Sequence, residues 1–404
     1  MELYIERAKG VWLYGQNNEK YLDACAGTFN IILGHGEERV MDAVQEQLGK
    51  MVQYSSSWKS HLVEDFSANL LSISPKNLDS CFCKVTGGST ANEVAIRMLA
   101  KNLNRKKVIL MEGSHHGNTI FLSNNQSVLN ENNKIFVKMP KLSFPSMSSM
   151  NDSAWAKSAA DLDFLFKKHS KEAACFIIEP IQGRGGNLVP PKSFFKTVSE
   201  SASRYSIPII ADEVQVGVGR TGKFFGSEAV GLLQPDVIVL AKGITGCGFP
   251  LGVILYDSTY GKLESAKDGF TFGSNLVSVA AAKKTVEIVS DPKFLQEIQF
   301  KGEYLRAKLE KLQLEHNSLE DIRGIGLFFG IKLKSGKEFP STERMIAVLA
   351  KNGVICRSSE NVLKIRPPLV ITLEQIDFLC KSLEVALNET ERKTKLANGI
   401  LAHG

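Results

Sequence analysis

Six short apolar runs constrain this chain more than any other feature. They span residues 81–85, 107–111, 174–179, 208–212, 237–241 and 252–256. Together they are rich in Val and Ile and mostly apolar throughout, with no polar alternation. A strand without a polar face must be covered on both sides, which is the condition of a parallel sheet layered between helices. The intervening patterns supply those helices. Residues 91–103 place Val94, Ile96, Leu99 and Ala100 on one broad apolar side, and 192–205 follows the Pro190-Pro191 breaker. The pattern predicts an α/β domain whose site lies at the C-terminal ends of its strands.

The flanks read differently. Residues 124–161 are poor in pattern and rich in Ser, Asn, Met and Pro, which predicts a long surface excursion with a helical stretch near 153–157. Beyond about residue 290 a long charged helix (293–314) leads to a strand-like stretch with a glycine bend (322–333). Helices near 342–352 and 372–389 then flank the strand-like 362–365, which makes a smaller α+β domain. Residues 4–23 alternate and turn like a hairpin that packs with this small domain. The division expected is an N-terminal segment 1–38, a large domain 39–288 and a small domain 289–404. Residues 389–404 show no packing pattern.

Composition narrows the classes. A chain of 404 residues, 43% hydrophobic, suits one large or two medium domains. No run of about 18 apolar residues offers a membrane span, and the N-terminus has no basic region followed by an apolar stretch, so no signal peptide is expected. The seven scattered cysteines read as reduced thiols of a cytoplasmic protein. Cys81 and Cys83 alternate along a strand and are not spaced as metal ligands, so no metal is expected. The net charge of +6 is spread without an aromatic-interleaved stripe, which argues against nucleic-acid binding.

Chemistry gathers at the strand ends. Asp212 closes one apolar run and Lys242 follows another. A lysine and an aspartate delivered by neighbouring strand ends are what pyridoxal phosphate requires: an amine for a Schiff base with the aldehyde, and a carboxylate that keeps the pyridine nitrogen protonated. Residues 217–222 have GxGxxG spacing, the mark of a dinucleotide site. Its context is wrong, because Asp212-Glu213 would repel a pyrophosphate and no long helix follows. Thr86-Gly87-Gly88-Ser89-Thr90 is a better phosphate cradle, since it follows a strand and opens a helix; alone, it reads more readily as a glycine turn with a Ser/Thr cap, and Lys242 with Asp212 tips it to a cradle. Three more polar turns, around His115-His116, Glu179 to Arg184 and Thr271 to Asn275, stand at the same rim.

From Tyr21-Leu22-Asp23-Ala24 through Asp212-Glu213-Val214-Gln215 and Lys242 to Arg366-Pro367-Pro368-Leu369, nearly the whole chain resembles the class III (ornithine/GABA-type, or ω-) aminotransferases of pyridoxal phosphate fold type I. The resemblance implies a large domain with a mostly parallel seven-stranded sheet and a smaller α+β domain. It implies an internal aldimine on Lys242, which also shuttles a proton, and Asp212 pairing with the pyridinium. Gln215 would lie near the ring hydroxyl, His115 would stack on the ring, and Glu179 would support that layer. Gly88, Ser89 and Thr90 would hold the phosphate. Thr271 would reach the phosphate of a second subunit's cofactor, which implies a homodimer.

Three departures bear on substrate. His115 replaces an aromatic residue, Arg184 replaces a glutamate that gates substrate charge, and Lys364 replaces an arginine that grips a carboxylate bidentately. Arg184, Lys364 and Arg366 are the candidate substrate residues. The expected reaction moves an amino group from a donor to a carbonyl acceptor other than ornithine or GABA, such as a sugar, polyamine or specialised-metabolite carbonyl. The alternatives are a phospho-lyase or an epimerase of the same family, or a non-catalytic binding protein on the same fold.

Overall fold

The structure is a computed structural model that describes residues 3–55, 58–119, 122, 134–137, 152–232, 234–359 and 361–401. All six apolar runs enter one seven-stranded sheet. Its order is Ser80–Val85, Gly252–Tyr256, Val237–Leu240, Ile209–Asp212, Ala173–Ile178, Lys107–Met111 and Lys134–Val137. From Val237–Leu240 to Lys134–Val137 every pairing is parallel, and Gly252–Tyr256 runs antiparallel to both its neighbours.

Successive side chains of a strand point to opposite faces, and here both faces are apolar. Ile109, Phe176, Ile178, Ala211, Ile238 and Leu240 feed one core cluster. Val108, Leu110, Ile177, Ile210, Val237 and Val239 feed another. The second face is closed by Val94, Ala95, Met98 and Leu99 of helix Gly88–Leu103. The first is closed by Trp155 and Phe166 of helix Asp152–His169 and by Phe194 and Phe195 of helix Lys192–Arg204. That two-sided cover is the physical reason the runs carry no polar alternation.

The segment expected to be a surface excursion needs correcting. It contains the sheet's edge strand, Lys134–Val137, and half of an 18-residue helix, Asp152–His169; the rest of 124–161 lies outside the described residues. A four-residue strand paired on one side only leaves too short an apolar run to stand out among polar neighbours.

C-terminal to the sheet, hairpin Leu319–Ile325 and Phe328–Leu333 turns through Gly326 (φ 60°) and continues to Val362–Ile365 and Arg357–Ser359 in one antiparallel sheet. Helices Pro292–Glu315, Thr342–Lys351 and Leu373–Leu401 belong to the same region. N-terminal strand Lys20–Asp23 pairs in parallel with Val354–Ile355, where the Leu22 and Ala24 N–H groups donate to Gly353 and Ile355 at 2.8 and 2.9 Å. The last helix continues well past 389, with Thr390 and Thr394 buried, so the absence of a packing pattern there is a second correction. Both hydroxyls return to carbonyls one turn back, 2.7 Å to Ala386 and 2.8 Å to Thr390, which lets residues of polar type enter a core. All seven cysteines are free thiols. Among the described residues no helix is long and apolar enough to cross a membrane, and no cluster of His, Cys, Asp and Glu could hold a metal ion.

Candidate active site

The C-terminal strand ends surround a cavity of about 320 Å³. Lys242 enters it from the turn after Val237–Leu240 with φ 48°. A side-chain-bearing residue in the left-handed region costs on the order of 1–3 kcal/mol and persists where the surroundings impose it. Burial pushes the Lys242 amine down to about 8, against the opposing pull of the Asp212 carboxylate.

Asp212 is buried at the end of Ile209–Asp212. One carboxylate oxygen accepts from Asn92 Nδ2 and from His116 Nδ1, each at 2.7 Å; the other accepts from the Val214 N–H at 3.1 Å. An ionised carboxylate only accepts, so the His116 proton sits on Nδ1. Glu179 lies alongside, accepting from the His115 and Gly183 N–H groups at 2.9 Å each, and burial raises its carboxyl. His115 lines the cavity with its Nδ1 3.2 Å from an Arg184 guanidinium nitrogen. Because arginine only donates, that nitrogen accepts. Burial, reinforced by Arg184, lowers the imidazole's pKa.

At another wall, helix Gly88–Leu103 opens without a side-chain cap, leaving backbone N–H groups available to an anion. A Cβ on Gly88 would lie 2.7 Å from Val214 Cγ2, so the closeness of that wall requires glycine. Ser89 lines the cavity, and its Oγ accepts from the Asn118 N–H at 3.2 Å. The Thr90 hydroxyl is turned back onto the Gly87 carbonyl at 2.9 Å, and Thr90 is absent from the lining.

Gln215 lines the cavity, and its Oε1 accepts from Arg366 at 2.6 Å. Arg366 is fully enclosed behind it, with its guanidinium carbon 3.7 Å from the Phe328 ring centre. Lys364 and Lys242 share the Phe29 ring, at 5.9 and 5.7 Å. Thr271 stands apart, at a separate cavity with Gln53, Tyr54 and Trp58. The GxGxxG turn is structural: Arg220 is buried with a nitrogen 3.3 Å from the Leu327 carbonyl, and a Cβ on Gly222 would strike Gln299 at 2.4 Å. Only the five-residue helix Gly226–Val230 follows it.

Two site residues escaped sequence reasoning. Asn92 is buried and linked to both Asp212 and the His116 carbonyl. The available signal was a polar residue in register with Ile96 and Leu99 on the buried side of a helix. For His116, its place beside His115 did not say which ring turns inward to the carboxylate.

These walls fit pyridoxal phosphate. An uncapped helix N-terminus suits the phosphate, a buried carboxylate suits the pyridine nitrogen, and the amine stands in the same cavity. The Asn92 Oδ1 and His116 Nε2, both buried beside Asp212, have no partner among the described residues, which marks a polar wall not fully satisfied by the chain itself.

Residues 1–387 match the model of the family "Aminotransferase class-III". The acetylornithine aminotransferase of Prochlorococcus marinus is 30% identical over 397 residues, covering 96% of this chain and 92% of that one. The ornithine aminotransferase of Staphylococcus epidermidis is 26% identical, covering 95% and 94%. An amine transaminase from an uncultivated Pseudomonas species, solved in its PLP-bound form, superposes with a TM-score of 0.87 at 25% identity over 96% of this chain and 95% of that one. The chain belongs to the class-III aminotransferase family, pyridoxal phosphate enzymes of fold type I.

Proposed function

We propose that this aminotransferase uses Lys242 and Asp212 as its catalytic pair and takes a substrate bearing an anionic group. The observation that carries the reading is that Lys242, Asp212 and the open helix N-terminus at Gly88 line one cavity. Pyridoxal phosphate supplies an aldehyde that accepts the amino group and a ring that accepts the electron pair left at the substrate carbon. Lys242, with its amine near 8, moves a proton at that carbon close to neutral pH. Asp212, held by Asn92 and His116, would keep the pyridine nitrogen protonated. Gly88 and Ser89 would hold the phosphate and His115 would face the ring, while Glu179 fixes the His115 backbone.

Support for an anionic substrate comes from charge. Lys364 faces Arg357 directly across an antiparallel pair, an arrangement of like charges that destabilises a sheet. No described carboxylate pairs with either. Burial, then Arg366, lowers Lys364 to about 8. A carboxylate or phosphate between Lys364, Arg357 and Arg184 would relieve this. Acetylornithine- and ornithine-type donors are therefore the first to test, given the relatives. The same cations favour a phospho-lyase as the second reading.

We read the enzyme as a cytoplasmic homodimer. Exposed Trp58, Phe270 and Phe272 beside Thr271 support an interface across which Thr271 of one copy reaches the phosphate held by the other. We divide the chain into 1–38, 39–288 and 289–404, a reading supported by the pairing of Lys20–Asp23 with Val354–Ile355 outside the seven-stranded sheet. The deciding experiment incubates holoenzyme with amino donors and amino-alcohol phosphates and identifies the cofactor by mass. Aminated cofactor supports transamination. Release of inorganic phosphate with unchanged cofactor would replace it with the lyase.

A further inference from the structure

Arg366 is fully buried and, among the described residues, no carboxylate is bound to it; its hydrogen bonds go to neutral acceptors. It donates to Gln215 Oε1 at 2.6 Å, Gly183 O at 3.2 Å and Asn187 Oδ1 at 2.7 Å, between the Phe328 and Phe29 rings at 3.7 and 4.5 Å. Burying a guanidinium against uncharged partners is expensive, so what it does for those partners is worth asking. Gln215 alone of the three lines the cavity.

An amide has one accepting and one donating branch, and a guanidinium has only donors. The Arg366 contact therefore settles the amide's orientation: its oxygen is committed to the arginine, and its NH2 is the branch left for the cavity. We propose that Arg366 is a positioning residue that makes Gln215 a hydrogen-bond donor only, locking its N–H toward an anionic oxygen in the cavity. Resting on the reading that Gln215 meets the ring hydroxyl of the cofactor, the consequence is a ring oxygen kept deprotonated. The charged guanidinium also strengthens the bond to Gln215 Oε1 that sets the amide. Arg366 is thereby withdrawn from direct contact with substrate, and the anion is left to Lys364, Arg357 and Arg184.

The test uses holoenzymes of R366M, Q215M, Q215E and the double variant R366M/Q215M. The readout is the pH midpoint of the bound cofactor's absorbance change, with KM alongside. Asp212, Glu179, Lys242 and Lys364 remain in every variant, so their charges contribute equally. Loss of the donor withdraws support from the anionic oxygen, so each single variant should raise the midpoint by about one unit or less. The double variant should move it no further than the larger single one. Additive shifts would overturn the proposal. So would an unmoved midpoint in R366M with KM for carboxylate substrates raised tenfold, which would make Arg366 a substrate residue. If R366M fails to fold, Q215E decides: its carboxylate still accepts from Arg366 but offers no N–H, and an unchanged midpoint would sink the proposal. Shifts in Q215M without shifts in R366M defeat only the role of Arg366. No shift in Q215M or Q215E defeats the placement of Gln215 against the ring oxygen.

Discussion

An amine enclosed at a strand end is a base at a pH where an exposed lysine is fully charged. Lys242 is lowered to about 8 chiefly by burial, with the Asp212 carboxylate pulling the other way. Covalent capture of the cofactor needs the neutral amine. Its rate in apo-protein should therefore climb with pH below about 8 and level off above. In D212N the levelling should move to lower pH, because the charge that holds the ammonium is gone. Stopped-flow absorbance across pH 6 to 9 checks this; a rate that keeps climbing through pH 9 without levelling would deny Lys242 its shifted amine. At this scale Lys242 and Asp212 were legible, since the end of an apolar run is a strand end wherever the strand packs. Thr90 was not, because nothing in a Gly-Ser-Thr run says which hydroxyl will turn back onto Gly87.

Helix Leu373–Leu401 shows how an element can hide its packing. Thr390 and Thr394 are buried, Arg344 donates to the Thr394 hydroxyl at 3.1 Å, and Glu391 accepts from His316 at 3.3 Å and from Ser318. The residues are polar by type, so hydropathy reads them as a tail. Their partners are the helix's own carbonyls and side chains distant in sequence. Removing residues 389–404 should lower unfolding free energy by about 2–4 kcal/mol, from buried polar partners left alone. It should leave kcat of the holoenzyme within about twofold, since the segment is absent from the active-site lining. Urea denaturation with parallel assays checks both; an unchanged unfolding midpoint would refute the packing role.

On the whole molecule, Phe272 is 70% and Trp58 66% exposed, around a second cavity of about 620 Å³ that includes Phe270 and Thr271. Clustered exposed aromatics mark an interface. The wild-type protein should sediment as a dimer. F272E should sediment as a monomer and, on the proposed reach of Thr271 to the second copy's phosphate, hold cofactor at least about tenfold more weakly, a loss of about 1.4 kcal/mol or more. A wild-type monomer with full cofactor affinity would remove the interface from the account.

What the residues determined alone is the layered α/β sheet and the pairing of a lysine with an aspartate at its rim, because both follow from local apolar runs and their ends. What tertiary structure decided is which polar groups meet. Arg366 and Gln215 are 151 positions apart, Asn92 and Asp212 are 120 apart, and Arg357 faces Lys364 only through strand register. Hydrogen-bond partners across such separations depend on packing and register, which no local pattern encodes.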